Sequence, residues 1–136
     1  MSLNISDKRL FPRCDIRQPI HYRIDGSREI LKGRIANIGG GGLCIQTRIP
    51  LKKNDRLSVE FDIPGGAGSA IATADIVWAG SASDSDYETR HLAGIKFRNI
   101  PDRKLESIIK YVDRRIKTAS VIAEPSMNEN GKQAQL

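Results

Sequence analysis

Along most of the chain, apolar and polar residues alternate in short runs. Ile20, Tyr22 and Ile24 share one side of residues 19–24, the pattern of a half-buried strand. Asp25-Gly26-Ser27 supplies turn chemistry, and residues 29–37 alternate again with Gly33 loosening the middle. After Gly39 to Gly42, residues 43–47 predict a third strand, with Cys44 read as a small core hydrophobe. Residues 56–63 alternate most clearly: Leu57, Val59, Phe61 and Ile63 on one face, Ser58, Glu60 and Asp62 on the other. Residues 70–79 form an apolar run ending in Ile76-Val77-Trp78. An acidic, serine-rich loop is expected at 80–89 and a sixth strand at 90–97. Six short strands separated by turn signals predict a mainly β fold, a small antiparallel barrel or sandwich.

The period then changes. Leu105, Ile108, Ile109, Val112 and Ile116 recur at helical spacing and predict one amphipathic helix lying on the barrel. Pro101-Asp102 marks its start, with Asp102 as N-cap. Arg114, Arg115 and Lys117 are placed at its C-terminus, where the helix dipole is negative. The periodicity ends at Thr118. Residues 1–8 are therefore read as a flexible N-terminus, 9–117 as one domain, and 118–136 as a disordered tail.

Composition narrows the class. The 136 residues are 39% hydrophobic and 28% charged, ordinary values for one domain with a single core. No run approaches the ~18 apolar residues of a membrane helix, and the N-terminal residues lack a signal-peptide profile. A cytoplasmic location is the expectation. Cys14 and Cys44 form no CxxC pair, and His21 and His91 have no ligand-spaced neighbours, so no metal site is expected. The net charge of +6 points to an anionic partner. With only 5% aromatic residues, one of them Trp, the chain poorly suits a single-strand binder built on stacking platforms.

Catalysis has no support. There is no Gly-x-Ser-x-Gly or His-Glu-x-x-His, and Glu60 and Asp62 fall on the solvent side of their strand. The four glycines lack the Lys-Ser/Thr of a P-loop and do not open a helix. Standing between apolar runs after Asn37, they suit either a plain hairpin or a cradle that lets an anion approach the backbone. Upstream, Arg9, Arg13 and Arg17 are spaced four apart. Pro12 biases Phe11 away from helix, so residues 9–17 read as an extended arm anchored by Leu10 and Phe11.

Arg9-x-x-x-Arg13 followed by Asn37-x-Gly39-x-x-Gly42 resembles the bipartite signature of the PilZ domain family, Arg-x-x-x-Arg and then Asp/Asn-x-Ser-x-x-Gly. The resemblance extends over about residues 7–117 and includes Gly-Leu-Cys-Ile after the glycines, Val77-Trp78, Gly94-Ile95-Lys96-Phe97 and the closing helix. It implies a six-stranded antiparallel β-barrel with one C-terminal helix that binds cyclic di-GMP and needs no cofactor. It implies that Arg9 and Arg13 clamp guanine and phosphate while Asn37, Gly39 and Gly42 form the floor. Lys8, Gly40, Gly41 and Trp78 are secondary candidates; on its own pattern Trp78 reads as a core or barrel-mouth plug. The expected role is a stand-alone receptor that orders residues 9–17 on binding and signals to an effector protein in motility, exopolysaccharide or biofilm control. A PilZ-like adaptor that binds no nucleotide and a small basic barrel for nucleic acid are the alternatives. Gly39 stands where the family has serine. The missing hydroxyl bond, worth ~1 kcal/mol net and more with a charged partner, is expected to weaken binding several-fold to about tenfold or a little more, without abolishing it.

Overall fold

The structure, a computed structural model, describes residues 12–84 and 88–123. Six antiparallel strands precede one helix: β1 (Arg13–Ile24), β2 (Leu31–Gly39), β3 (Gly42–Thr47), β4 (Arg56–Asp62), β5 (Ser69–Asp84), β6 (Glu88–Asn99) and α1 (Asp102–Ala123). They close into a barrel in the order β1-β2-β3-β6-β5-β4, with β4 returning to β1 through pairs such as Tyr22↔Val59. Closure pairs residues 21–24 of β1 with β4, while residues 13–15 pair with β2.

The alternation read from the sequence is the inward face. Leu57, Val59, Phe61 and Ile63 are buried beside Ile20, Tyr22, Ile35, Ile38, Leu43, Ile45, Ile76 and Ile95. Each such side chain contributes roughly 1.5–3 kcal/mol on leaving water. The Phe61 and Phe97 rings stack nearly parallel with centroids 6.3 Å apart.

Three expectations about strands change. First, β1 begins at Arg13, so Arg13 to Arg17 belong to the barrel and are not a loose arm. The pairing continues through Cys14↔Ile38 and Asp15↔Asn37 because a bulge between Asp15 and Gln18 absorbs the irregularity that separates this stretch from Pro19. Second, the acidic loop expected at 80–89 is mostly hairpin: β5 and β6 pair as far as Asp84↔Glu88. Third, Cys44 is not a core residue. It lies opposite Asn37 and Gly94 on the outer face, and it is Cys14 that packs against the core.

The helix also departs from expectation. Pro101 carries the capping carbonyl, accepting from the backbone N–H groups of Lys104 and Leu105 at 3.0 Å each, so Asp102 lies in the first turn. Of the apolar stripe, Ile108 and Val112 are buried, whereas Ile109 and Ile116 are 39% and 38% exposed. The buried face is rotated toward Lys104 and Tyr111. Lys104 Nζ donates to the Ala67 carbonyl at 3.2 Å, and Tyr111 packs against the core edge. The helix continues through residues 118–123, expected to begin the tail, so Arg114, Arg115 and Lys117 sit mid-helix and Lys117 pairs with Asp113 one turn back at 3.1 Å. No described helix is long and apolar enough to cross a membrane. The expected flexible N-terminus and the tail beyond Ala123 lie outside the described residues.

Candidate functional site

The β2–β3 turn positions the site. Ile38 and Leu43 pair across it with both side chains in the core, which fixes the register of the four glycines between them. Gly40 and Gly41 make the connection, and the Gly41 carbonyl accepts the Phe97 amide at 2.9 Å. None of the four is among the described glycines with positive φ. Their requirement is proximity. A Cβ on Gly42 would stand 1.9 Å from the Ile95 carbonyl oxygen, so this residue serves the β3–β6 contact. A Cβ on Gly39 would stand 2.7 Å from the Pro12 carbonyl oxygen and 2.8 Å from Arg13 Cγ. Gly39 is thus the residue that lets the start of β1 lie directly on the turn.

Arg13 and Asn37 are brought together on that surface. Arg13 Nε donates to Asn37 Oδ1 at 2.7 Å across β1 and β2. Cys44 is the partner of Asn37 on β3. Burial pushes its thiol above the usual range, and the Arg13 guanidinium partly offsets this. The same outward row continues: Asp15↔Asn37, Asn37↔Cys44, Cys44↔Gly94, Gly94↔Trp78.

Trp78 ends that row and is not a plug. Continuing the alternation from the inward Ile76 would bury it. Instead the pairing shifts between Ile76↔Ile95 and Trp78↔Gly94, so Val77 is the extra residue of a bulge and the indole turns outward. Trp78 is 46% exposed and lies over Gly94, where a Cβ would come 2.0 Å from its Nε1. Three strand spacings, about 14 Å along the sheet, separate it from Asn37. Lys8 and Arg9 lie outside the described residues.

Beside this row is a cleft of about 550 Å³ that the sequence reading did not find. Arg17 from β1, Arg34 from β2, Arg90 from β6 and Arg115 from α1 line it. Arg17 was visible only as an extension of the arginine spacing, and Arg115 as a helix-end charge. Nothing local links them, because the barrel closure brings their elements together. Among the described residues no group of three or more His, Cys, Asp or Glu side chains is arranged to hold a metal.

Comparison with known families matches residues 7–114 to the PilZ domain. Comparison with curated proteins by sequence gives no match. Among solved structures, the chain is similar to the Bacillus subtilis inhibitor of motility MotI/DgrA, with TM-score 0.71 and 14% identity over 82% of this chain and 53% of that one. It is similar to the PilZ domain with c-di-GMP of YcgR from Escherichia coli, with TM-score 0.64 and 15% identity over 85% of this chain and 98% of that one. It is also similar to the K. pneumonia MrkH–c-di-GMP complex, with TM-score 0.66 and 15% identity over 84% of this chain and 54% of that one. The chain thus spans about half the length of MotI/DgrA and MrkH.

Proposed function

The chain belongs to the PilZ domain family, and from that premise we propose that it is a receptor for cyclic di-GMP that signals to a protein partner. The observation that supports this reading is the meeting of Arg13 and Asn37 beside Gly39 on the outer face of the barrel. A guanidinium can fork onto O6 and N7 of guanine or grip a phosphate through two parallel bonds. The Asn37 amide offers both a donor and an acceptor to a base edge. Trp78, exposed at the end of the same row, offers a flat face for a base.

On this proposal Arg13 exchanges its bond with Asn37 for bonds to the ligand, and Arg9, with Lys8, closes from the segment before β1. Gly39 and Gly42 form the floor, with Gly40 and Gly41 at its edge. Because β1 already begins at Arg13, the switch lies in the residues before it and in the new partner of Arg13. Ordering that segment changes the surface an effector meets. Motility, exopolysaccharide or biofilm machinery is the proposed output, catalysis is not part of the role, and the proposed setting is the cytoplasm.

One observation favours a second reading, an adaptor without a nucleotide. Arg13 and Asn37 already satisfy one another, and Gly39 supplies no hydroxyl. Calorimetric titration with cyclic di-GMP, alongside gel mobility shifts with generic RNA and DNA, separates the readings. The receptor shows saturable heat with the dinucleotide and no shift of nucleic acid. Absence of that heat leaves the adaptor.

A further inference from the structure

Four arginines from four elements converge on the cleft beside the nucleotide row. Among the described residues Arg17 and Arg34 make no ion pair, and Asp15 is the one acidic residue lining the cleft. Arg115 is held in place from the helix: its guanidinium lies 5.6 Å over the Tyr111 ring and donates to the Tyr111 hydroxyl. On the opposite side of the barrel the arginines are already answered, Arg56 and Arg98 lying 3.4 and 3.5 Å from the Asp75 carboxylate. Arg17, Arg34 and Arg115 set against Asp15 leave the described lining of the cleft positively charged.

We infer that this cleft is the docking site for an acidic segment of a partner protein, with Arg17, Arg34 and Arg115 receiving its carboxylates. Planar guanidinium groups match carboxylates in pairs of parallel hydrogen bonds, and Gln46 adds an amide at the wall. Among the described residues no aromatic ring lines the cleft to stack a base. Its size, about 550 Å³, suits a few side chains of a peptide better than the continuous backbone of a nucleic acid. The inference holds whether or not the neighbouring row binds cyclic di-GMP.

The test uses the full chain without cyclic di-GMP and a fluorescein-labelled hexaglutamate peptide, read by fluorescence anisotropy at physiological salt. The cleft variant R34Q/R115Q is compared with R56Q/R98Q, which removes the same charge from the opposite side. Binding to wild type is expected to weaken about tenfold in the cleft variant and less than about twofold in the control. Should R34Q/R115Q fail to fold by circular dichroism, R34Q alone is read instead, with a loss of about threefold expected. Equal weakening in the two variants, reflecting bulk charge alone, overturns the site, as does absence of binding by wild type. A labelled oligouridine that binds as tightly, with the same dependence on Arg34 and Arg115, overturns the acidic-protein assignment.

Discussion

Replacing Gly39 by alanine puts a methyl group where the structure leaves no room. The added carbon would meet the Pro12 carbonyl oxygen at 2.7 Å and Arg13 Cγ at 2.8 Å, and the first of these is backbone. The start of β1 must lift, and with it goes the 2.7 Å bond from Arg13 Nε to Asn37 Oδ1. A half-buried bond from a charged donor is worth about 1.5 kcal/mol, the low end of its class. Opposing this, alanine lowers the entropy of the unfolded chain by about 0.4–1 kcal/mol where the backbone angle is compatible, and Gly39 is not among the residues with positive φ. The global loss is therefore small, about 0.5–1 kcal/mol, or roughly 2–4 °C in melting temperature. The local effect is larger, because the unfolded-state term does not protect an edge that opens on its own. Amide exchange measured by mass spectrometry across residues 13–15 is expected to rise about tenfold, while the core strands β4 and β5 stay unchanged. Unchanged exchange at 13–15 would refute the close approach of β1 to the turn.

Further outcomes follow from the same geometry. Val112→Ala is expected to destabilise the protein by about 2–3 kcal/mol, because Val112 and Ile108 are the buried contacts of α1; urea denaturation measures it, and a loss no larger than that of the exposed Ile109→Ala would contradict the observed packing face. Cys44 alkylation, followed by peptide mapping, is expected to be slow at neutral pH and to rise about tenfold per pH unit until its raised pKa is reached, since the thiolate is the reactive form. Arg13→Ala removes the nearby positive charge, moves that value further up, and slows the reaction at any given pH below it; a faster reaction would place Arg13 away from Cys44. Since burial favours the thiol, its contribution to stability is full below the unfolded thiol's ordinary value and is lost as pH rises through the folded one. Trp78→Ala is expected to weaken cyclic di-GMP binding by about 1–3 kcal/mol in calorimetry, and unchanged affinity would remove Trp78 from the site.

The strands and the core were legible because period-two alternation is enforced residue by residue: Leu57, Val59, Phe61 and Ile63 could occupy no other face. The two motifs of the candidate site were legible for a different reason, since Arg13, Asn37 and Gly39 lie in short local patterns. What escaped detection depends on bulges and closure. One extra residue at Val77 turns Trp78 from inside to outside, and nothing in Ile76-Val77-Trp78 announces it. The bulge between Asp15 and Gln18 extends β1 through a stretch that reads as an arm, and an irregular pairing leaves no clean alternation to read. The arginine cleft required the barrel to close and α1 to rotate its Tyr111 side inward before Arg17, Arg34, Arg90 and Arg115 became neighbours.

The central claim is that cyclic di-GMP binds along the row from Arg13 and Asn37 to Trp78. Trp78 is the only tryptophan of the chain and is 46% exposed at the end of that row, so its fluorescence reports the site directly. Titrating cyclic di-GMP into the wild type and Arg13→Ala, with GMP as control, is the most direct measurement. The account predicts a saturable change of Trp78 emission with the dinucleotide, absent with GMP, whose midpoint moves at least about tenfold higher in Arg13→Ala. No saturable change in the wild type, or identical midpoints in the two proteins, would contradict it.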